Sequence, residues 1–166
     1  MHVRGEHRWR VIRTPGVYVG AARNAGWRAA LGTFVLFMDD DNVALPHEVS
    51  TMVRVALHTD ASVVTCANLF MPAQFAAAGA PAVSAAATAA GTYVPLGPAA
   101  AAATVQNVLG DANAMFRREA LRLLGGWPED LDYGTQDWEL LTRAALKVGL
   151  AGRTTTARLV CSKNRC

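Results

Sequence analysis

The hydrophobic positions of this chain follow two patterns, one typical of buried strands and one typical of amphipathic helices. The strongest strand pattern is an unbroken apolar run at residues 34–38, which suits a strand covered on both faces. Shorter runs predict strands at residues 9–12 and 61–67. Helical spacing predicts helices at residues 20–31, 46–58, 118–124 and 137–148. The order β-α-β-α-β, with right-handed crossovers, predicts an α/β fold with a parallel sheet and the run at 34–38 in its middle.

Composition and charge restrict the possible functions. The 166 residues fit one domain, and the apolar, alanine-rich composition is typical of a folded protein. The net charge of +3 is mild and the N-terminal arginines lack interleaved aromatic residues, so we expect no nucleic-acid partner. No segment reaches the roughly eighteen consecutive apolar residues of a membrane span. Residues 72–104, rich in alanine, proline and glycine, are predicted to form a long loop.

The N-terminus and the cysteines bear on the cellular location. The first residues contain no apolar segment of the kind found in secretory signals. The three cysteines, Cys66, Cys161 and Cys166, form neither a CxxC pair nor an even set for disulfides, which favours a reducing compartment. We therefore expect a cytoplasmic protein, and membrane association through a longer parent chain stays open.

The apolar run at residues 34–38 ends in three carboxylates and an amide, Asp39-Asp40-Asp41-Asn42. In an extended segment, alternation directs Asp39 and Asp41 to one side and Asp40 to the other. Adjacent carboxylates repel one another, so a cation is expected among them, and oxygen ligands select a hard ion such as Mg²⁺ or Mn²⁺. The alternative is that these aspartates serve only as turn and cap residues.

Two further segments are candidates for chemistry. Residues 20–26 combine small residues with Arg23 near the start of a helix, where a phosphate could approach the backbone, although tight helix packing explains them equally well. Asp137 lies at the start of the last predicted helix and is either a cap or a general base. A capping role would hold the pKa of Asp137 low and make it a modest base.

Taken in this order, the features resemble the family 2 glycosyltransferases of the GT-A fold. The matching segments are residues 20–26, 30–42, 45–46, 110–120, 125–127 and 136–149. They cover most of residues 10–150 apart from the alanine-rich segment. The resemblance implies a GT-A-like three-layer α/β/α sandwich with a mostly parallel sheet over residues 1–150, followed by a divergent tail at 151–166.

The same resemblance implies a function and a set of site residues. It implies an inverting glycosyltransferase that moves a sugar from a nucleotide-diphosphate sugar to an acceptor hydroxyl. Asp39 and Asp41 would form the DxD pair that binds Mn²⁺ or Mg²⁺, and Asp137 would be the general base. The implied substrate-binding residues are Arg23, Asn24, Asp40, Gly110 and Asn113. Whether the acceptor is a glycan, a lipid or a protein stays open.

Two departures from the family pattern keep other functions open. Gln136 stands where the family usually has glutamate, and only one short strand is predicted before residue 20, where the family has a strand, a helix and a strand. The chain could therefore be a partial domain that binds donor without turnover. A second alternative is a haloacid-dehalogenase-like phosphatase with Mg²⁺, in which Asp39 is the nucleophile and Asp41 the acid/base.

Overall fold

The computed structural model describes residues 9–72, 91–130, 134–147 and 160–165, and this part of the chain contains both helices and strands. The helices there are α1 (Val19–Ala29), α2 (Glu48–His58), α3 (Ala100–Ala103), α4 (Arg118–Leu124) and α5 (Gln136–Lys147). The strands are β1 (Phe34–Leu36), β2 (Asn42–Val43), β3 (Val63–Thr65), β4 (Ala67–Pro72), β5 (Gly91–Tyr93), β6 (Ala114–Arg117) and β7 (Val160–Arg165). The chain is therefore of mixed α/β class, as predicted.

Local sequence signals predicted four of the described helices well, but they wrongly predicted a strand at residues 9–12. α1, α2, α4 and α5 have nearly the predicted bounds, and Gly125, in the left-handed region at φ +84°, ends α4. The predicted strand at residues 9–12 is wrong, because Trp9 and Val11 are 73% and 85% exposed and no described strand pairs with this segment. None of the described helices is long and apolar enough to cross a membrane.

The sheet beside the acidic residues has three strands in the order β1-β6-β3. β6 runs antiparallel to both neighbours, with Phe116 opposite Val35 on one side and Met115 opposite Val64 on the other. β1 and β3 therefore run parallel to each other, as the crossover through α2 predicts, but β6 separates them. The prediction of a mostly parallel sheet with β1 in its middle is wrong, because β6 enters between the two strands and leaves β1 at an edge of this sheet.

Helices cover both faces of this three-stranded sheet. Alternate residues of β6 point in opposite directions, so that Phe116 joins one core and Met115 the other. The first core contains residues of α1, α4 and α5, and the second contains Met52 and Ala56 of α2. Within the first core the rings of Phe37 and Trp127 meet edge to face, with centroids 5.0 Å apart.

A second sheet has the order β2-β7-β4-β5, and β7 and β4 are the parallel neighbours among the described strands. β5 and α3 lie within residues 72–104, so the predicted loop is wrong for those two segments. Residues 73–90 of that prediction lie outside the described residues. β7 belongs to the predicted tail at 151–166, and the division of the chain at residue 150 stays a prediction.

Candidate functional site

A cavity of about 520 Å³ opens where β1 ends. Four parts of the chain border it: the start of α1, the segment after β1, the segment before β6 and the start of α5. The charged residues that line it are Arg23, Asp39, Asp40, Asp41, Asp111 and Asp137. The same cavity is bordered by Asp39 and Asp41, the predicted metal ligands, and by Asp137, the predicted general base.

The acidic segment after β1 is a turn and not an extended strand. The backbone N–H of Asn42 donates to the carbonyl of Asp39 at 3.1 Å, which closes a four-residue turn. The predicted alternation, with Asp40 directed away from its neighbours, is wrong because the turn brings all three aspartates to the cavity. Asp40 is thus also at the site, and it is exposed.

Arg23 enters the cavity from the first half of α1. Its Nη2 lies 2.7 Å from Oδ1 of Asp39, and the side chains of this ion pair are 16% and 29% exposed. The guanidinium carbon also lies 4.4 Å from the ring centroid of Trp127, which is a cation–π contact. Arg23 is therefore held on two sides, by a carboxylate and by an aromatic face.

Asn24, the neighbour of Arg23, is fully buried and does not line the cavity. Its Nδ2 donates to the carbonyl of Trp127 at 2.8 Å and to Oε1 of Glu129 at 2.6 Å. Its Oδ1 accepts from Trp27 Nε1 at 2.7 Å and from the backbone N–H of Trp127 at 2.9 Å. The side chain connects α1 to the segment after α4, and its predicted contact with substrate stays a prediction.

Asp137 is the second residue of α5 and is partly buried. Burial raises the pKa of Asp137 above its ordinary value; the backbone N–H of Trp138, which donates to Oδ1 at 2.7 Å, opposes the rise, and the nearby Asp111 adds to it. The prediction that capping would keep this pKa low is wrong, because desolvation outweighs the backbone hydrogen bonds and the charge of Arg23, which lower the pKa. A raised pKa makes the ionised carboxylate a stronger base.

Asp111 is a residue of the cavity that the sequence did not single out. Its Oδ2 accepts from Asn68 Nδ2 at 2.6 Å and its Oδ1 accepts from the backbone N–H of Asn113 at 3.0 Å. It also contributes to the raised pKa of Tyr93, whose main cause is burial. The available signal was its position three residues before β6, whose first residue, Ala114, accepts a backbone hydrogen bond from Phe37 near the acidic turn.

Gly110 and Asn113 flank this aspartate and are buried. Gly110 has φ +147°, and a Cβ there would lie 2.8 Å from Cγ2 of Thr65. Nδ2 of Asn113 donates to Oε1 of Glu48 at 3.4 Å. Neither residue is among those that line the cavity, so their predicted roles beside the acceptor stay predictions.

The carboxylates around the cavity offer the type of ligand that a hard divalent cation prefers. Five carboxylates and one arginine line the cavity, and the carboxylate oxygens are ligands that suit Mg²⁺ or Mn²⁺. Within the described ranges, no three His, Cys, Asp or Glu side chains form a group that could hold a metal ion. Metal binding by Asp39 and Asp41 therefore stays a prediction.

The fold and this cavity define an α/β protein with a cluster of carboxylates at a strand end. Residues 1–74 match the family model described as glycosyl transferase family 2. The resemblance predicted from the sequence is therefore confirmed over residues 1–74. Family 2 implies a nucleotide-sugar donor, and a divalent metal is common in it. No curated protein matches the chain.

The matched segment contains only part of the cavity. Arg23 and the acidic turn at residues 39–41 lie inside it, whereas Asp111 and Asp137 lie outside. The part of the resemblance carried by residues 110–149 therefore stays a prediction.

Proposed function

We propose that this chain is an inverting, metal-dependent glycosyltransferase in which Asp137 removes the proton of the acceptor hydroxyl. The observation that carries the proposal is the shared cavity, where Asp137 borders the same space as Arg23 and the acidic turn. The family match supports the donor, a nucleotide-diphosphate sugar, because it includes those donor-side residues. The acceptor class, whether glycan, lipid or protein, is not part of the proposal.

In the proposed reaction, the acceptor O–H bond breaks and its proton passes to the carboxylate of Asp137. The acceptor oxygen forms a bond to the anomeric carbon, and the bond from that carbon to the diphosphate oxygen breaks with its electron pair on the diphosphate. Because attack and departure occur on opposite faces, the anomeric configuration inverts. Burial of Asp137 favours the first step, since it raises the basicity of the carboxylate.

The leaving diphosphate needs positive charge beside it. Asp39 and Asp41 would hold a divalent cation, which supplies Lewis-acid stabilisation of the departing phosphate when it is bound. Arg23 is the arginine that lines the cavity, and its planar guanidinium can donate two parallel hydrogen bonds to a phosphate. The chain would thus provide a base on the α5 side and positive charge on the α1 side.

Two alternatives differ from this proposal in what they predict. The phosphatase alternative is weakened because the segment that suggested it, residues 34–43, lies inside the glycosyltransferase match. The partial-domain alternative predicts donor binding without turnover. A cytoplasmic location and a single transferase domain over residues 1–150 belong to the proposal as expectations from the sequence.

The test is a transfer assay on the whole chain with Mn²⁺, a panel of nucleotide-diphosphate sugars and a pool of glycan acceptors. Release of nucleoside diphosphate that depends on acceptor, with an inverted linkage in the product, is expected. Asp137→Asn should lower turnover by about 10²–10⁴-fold, the range for loss of a general base. Binding of nucleoside diphosphate with Mn²⁺ should survive that change.

Asp130→Asn is the matched control, because Asp130 is an exposed aspartate that does not line the cavity. It should leave turnover unchanged. Donor binding without transfer by the unaltered chain would support the partial-domain alternative, and metal-dependent phosphate release from an aryl phosphate would support the phosphatase.

A further inference from the structure

Arg23 forms an ion pair with Asp39, which is one of the two carboxylates that would bind the metal in the proposed function. Arg23 Nη2 is 2.7 Å from Asp39 Oδ1, so the carboxylate is already neutralised by the chain itself. The Arg23 side chain is 16% exposed, so screening by water is weaker than at the surface. Any second cation at Asp39 must overcome the charge of Arg23.

Trp127 determines where Arg23 lies. The indole ring is 3% exposed, and the guanidinium packs on it at 4.4 Å from the centroid. The same ring meets Phe37 edge to face at 5.0 Å, and Phe37 is two residues before Asp39 in the chain. Trp127 therefore contacts Arg23 itself and the segment that carries Asp39.

The backbone of Trp127 is fixed to α1, the helix that carries Arg23. Asn24 accepts from the N–H of Trp127 at 2.9 Å and donates to its carbonyl at 2.8 Å. Gly126 permits this approach, because a Cβ at that position would lie 2.4 Å from Oδ1 of Asn24. The tryptophan and the arginine are thus held in one unit, and their contact does not depend on the ion pair alone.

We propose that Arg23 is a resident counter-ion of Asp39, that Trp127 positions it there, and that Arg23 exchanges Asp39 for a donor phosphate when donor and metal bind. The second half of this inference rests on the proposed function. The exchange follows from the charges, because a guanidinium that loses its carboxylate to a metal needs another anion, and the diphosphate supplies one.

The inference predicts that one substitution, Arg23→Gln, strengthens the binding of Mn²⁺ alone and weakens the binding of nucleoside diphosphate. Arg23→Gln removes the competing charge, so Mn²⁺ alone should bind about tenfold more tightly, as expected from removing a unit charge a few ångströms away. The same variant loses a phosphate partner, so nucleoside diphosphate in the presence of Mn²⁺ should bind about tenfold more weakly. A residue that only contacts phosphate would change the second affinity and leave the first unchanged.

The experiment titrates the whole chain with Mn²⁺ and follows free Mn²⁺ by electron paramagnetic resonance, with and without UDP or GDP. Arg28→Gln is the matched control, because Arg28 is on the same helix but its side chain is 56% exposed and pairs with Glu129 outside the cavity. Its Mn²⁺ affinity should stay within about twofold of the unaltered chain, as expected for an exposed and screened charge.

Trp127 is tested by two variants in the same titration. Trp127→Phe keeps an aromatic face and should keep the Mn²⁺ affinity near that of the unaltered chain. Trp127→Leu removes the face and should raise the Mn²⁺ affinity part of the way towards that of Arg23→Gln. If Trp127→Leu fails to fold, Arg23→Gln and Trp127→Phe still test the inference, because both keep an aromatic ring at position 127.

Several results would overturn the inference. These are an Mn²⁺ affinity of Arg23→Gln equal to or weaker than that of the unaltered chain, an equal gain in Arg28→Gln, or no Mn²⁺ binding by any variant. The outcome is separate from that of the transfer assay. Opposite-signed effects without sugar transfer would support the counter-ion and count against the proposed function, whereas transfer without those effects would do the reverse.

Discussion

Replacing Asn24 by alanine is expected to destabilise the fold by about 2–6 kcal/mol. The substitution leaves two buried donors, Trp27 Nε1 and the backbone N–H of Trp127, without the oxygen they donate to at 2.7 and 2.9 Å. An unsatisfied buried polar group costs about 1–3 kcal/mol, so two of them give about 2–6 kcal/mol. Because whole domains are stable by about 5–15 kcal/mol, such a loss is large enough to measure and in the upper range to unfold the chain.

The assay is equilibrium unfolding in urea, followed by tryptophan fluorescence, since Trp27 and Trp127 are both buried next to Asn24. Glu129→Gln is the control. It keeps an oxygen for Asn24 Nδ2, and the side chain of Glu129 is 49% exposed, so a change within about 0.5 kcal/mol is expected. A loss of less than about 1 kcal/mol in Asn24→Ala would mean that water replaces the asparagine, and the argument that this side chain joins α1 to the Trp127 segment would then fail.

Three further predictions use the same unfolding measurement. Gly126→Ala should cost about 2 kcal/mol or more, because φ is +84° and the new Cβ would lie 2.4 Å from Oδ1 of Asn24. Gly110→Ala should cost a similar amount, since φ is +147° and Cγ2 of Thr65 would be 2.8 Å away; an unchanged midpoint would contradict the described backbone. Because the folded pKa of Asp137 is raised, stability from its protonated form is present below the unfolded pKa and lost as pH rises through the folded pKa. Asp137→Asn should therefore be more stable than the unaltered chain at pH 7, and the difference should vanish below about pH 4. A less stable variant at pH 7 would contradict the raised pKa.

The helices could be predicted because their signals are local. α4, for example, follows from a short apolar repeat that stops at Gly125-Gly126, and the structure ends it at the same glycine. The sheet could not be predicted in the same way. The pairing of β1 with β6 joins Val35 to Phe116, and no local pattern specifies which distant strand enters between β1 and β3.

The candidate site was predictable where aspartates stand at the end of a predicted strand or at the start of a predicted helix. Asp39, Asp41 and Asp137 were identified from their positions at a strand end and a helix start, and they border one cavity. Asp111 was missed because a single aspartate in a loop has no spacing signal. The hydrogen bonds of Asn24 to Trp127 and Glu129 were missed because both partners are about a hundred positions away in the chain.

The geometry around Arg23 and Asp39 depends on parts of the chain that the family match does not include. Arg23 and Asp39 lie within residues 1–74, but Trp127, which contacts Arg23 and Phe37, lies outside. β6 also lies outside the match, and it pairs with β1, the strand that leads to Asp39. Residues 1–74 alone would therefore carry Arg23 and Asp39 without the contacts of Trp127 and β6, so the geometry at Asp39 depends on residues outside the matched segment.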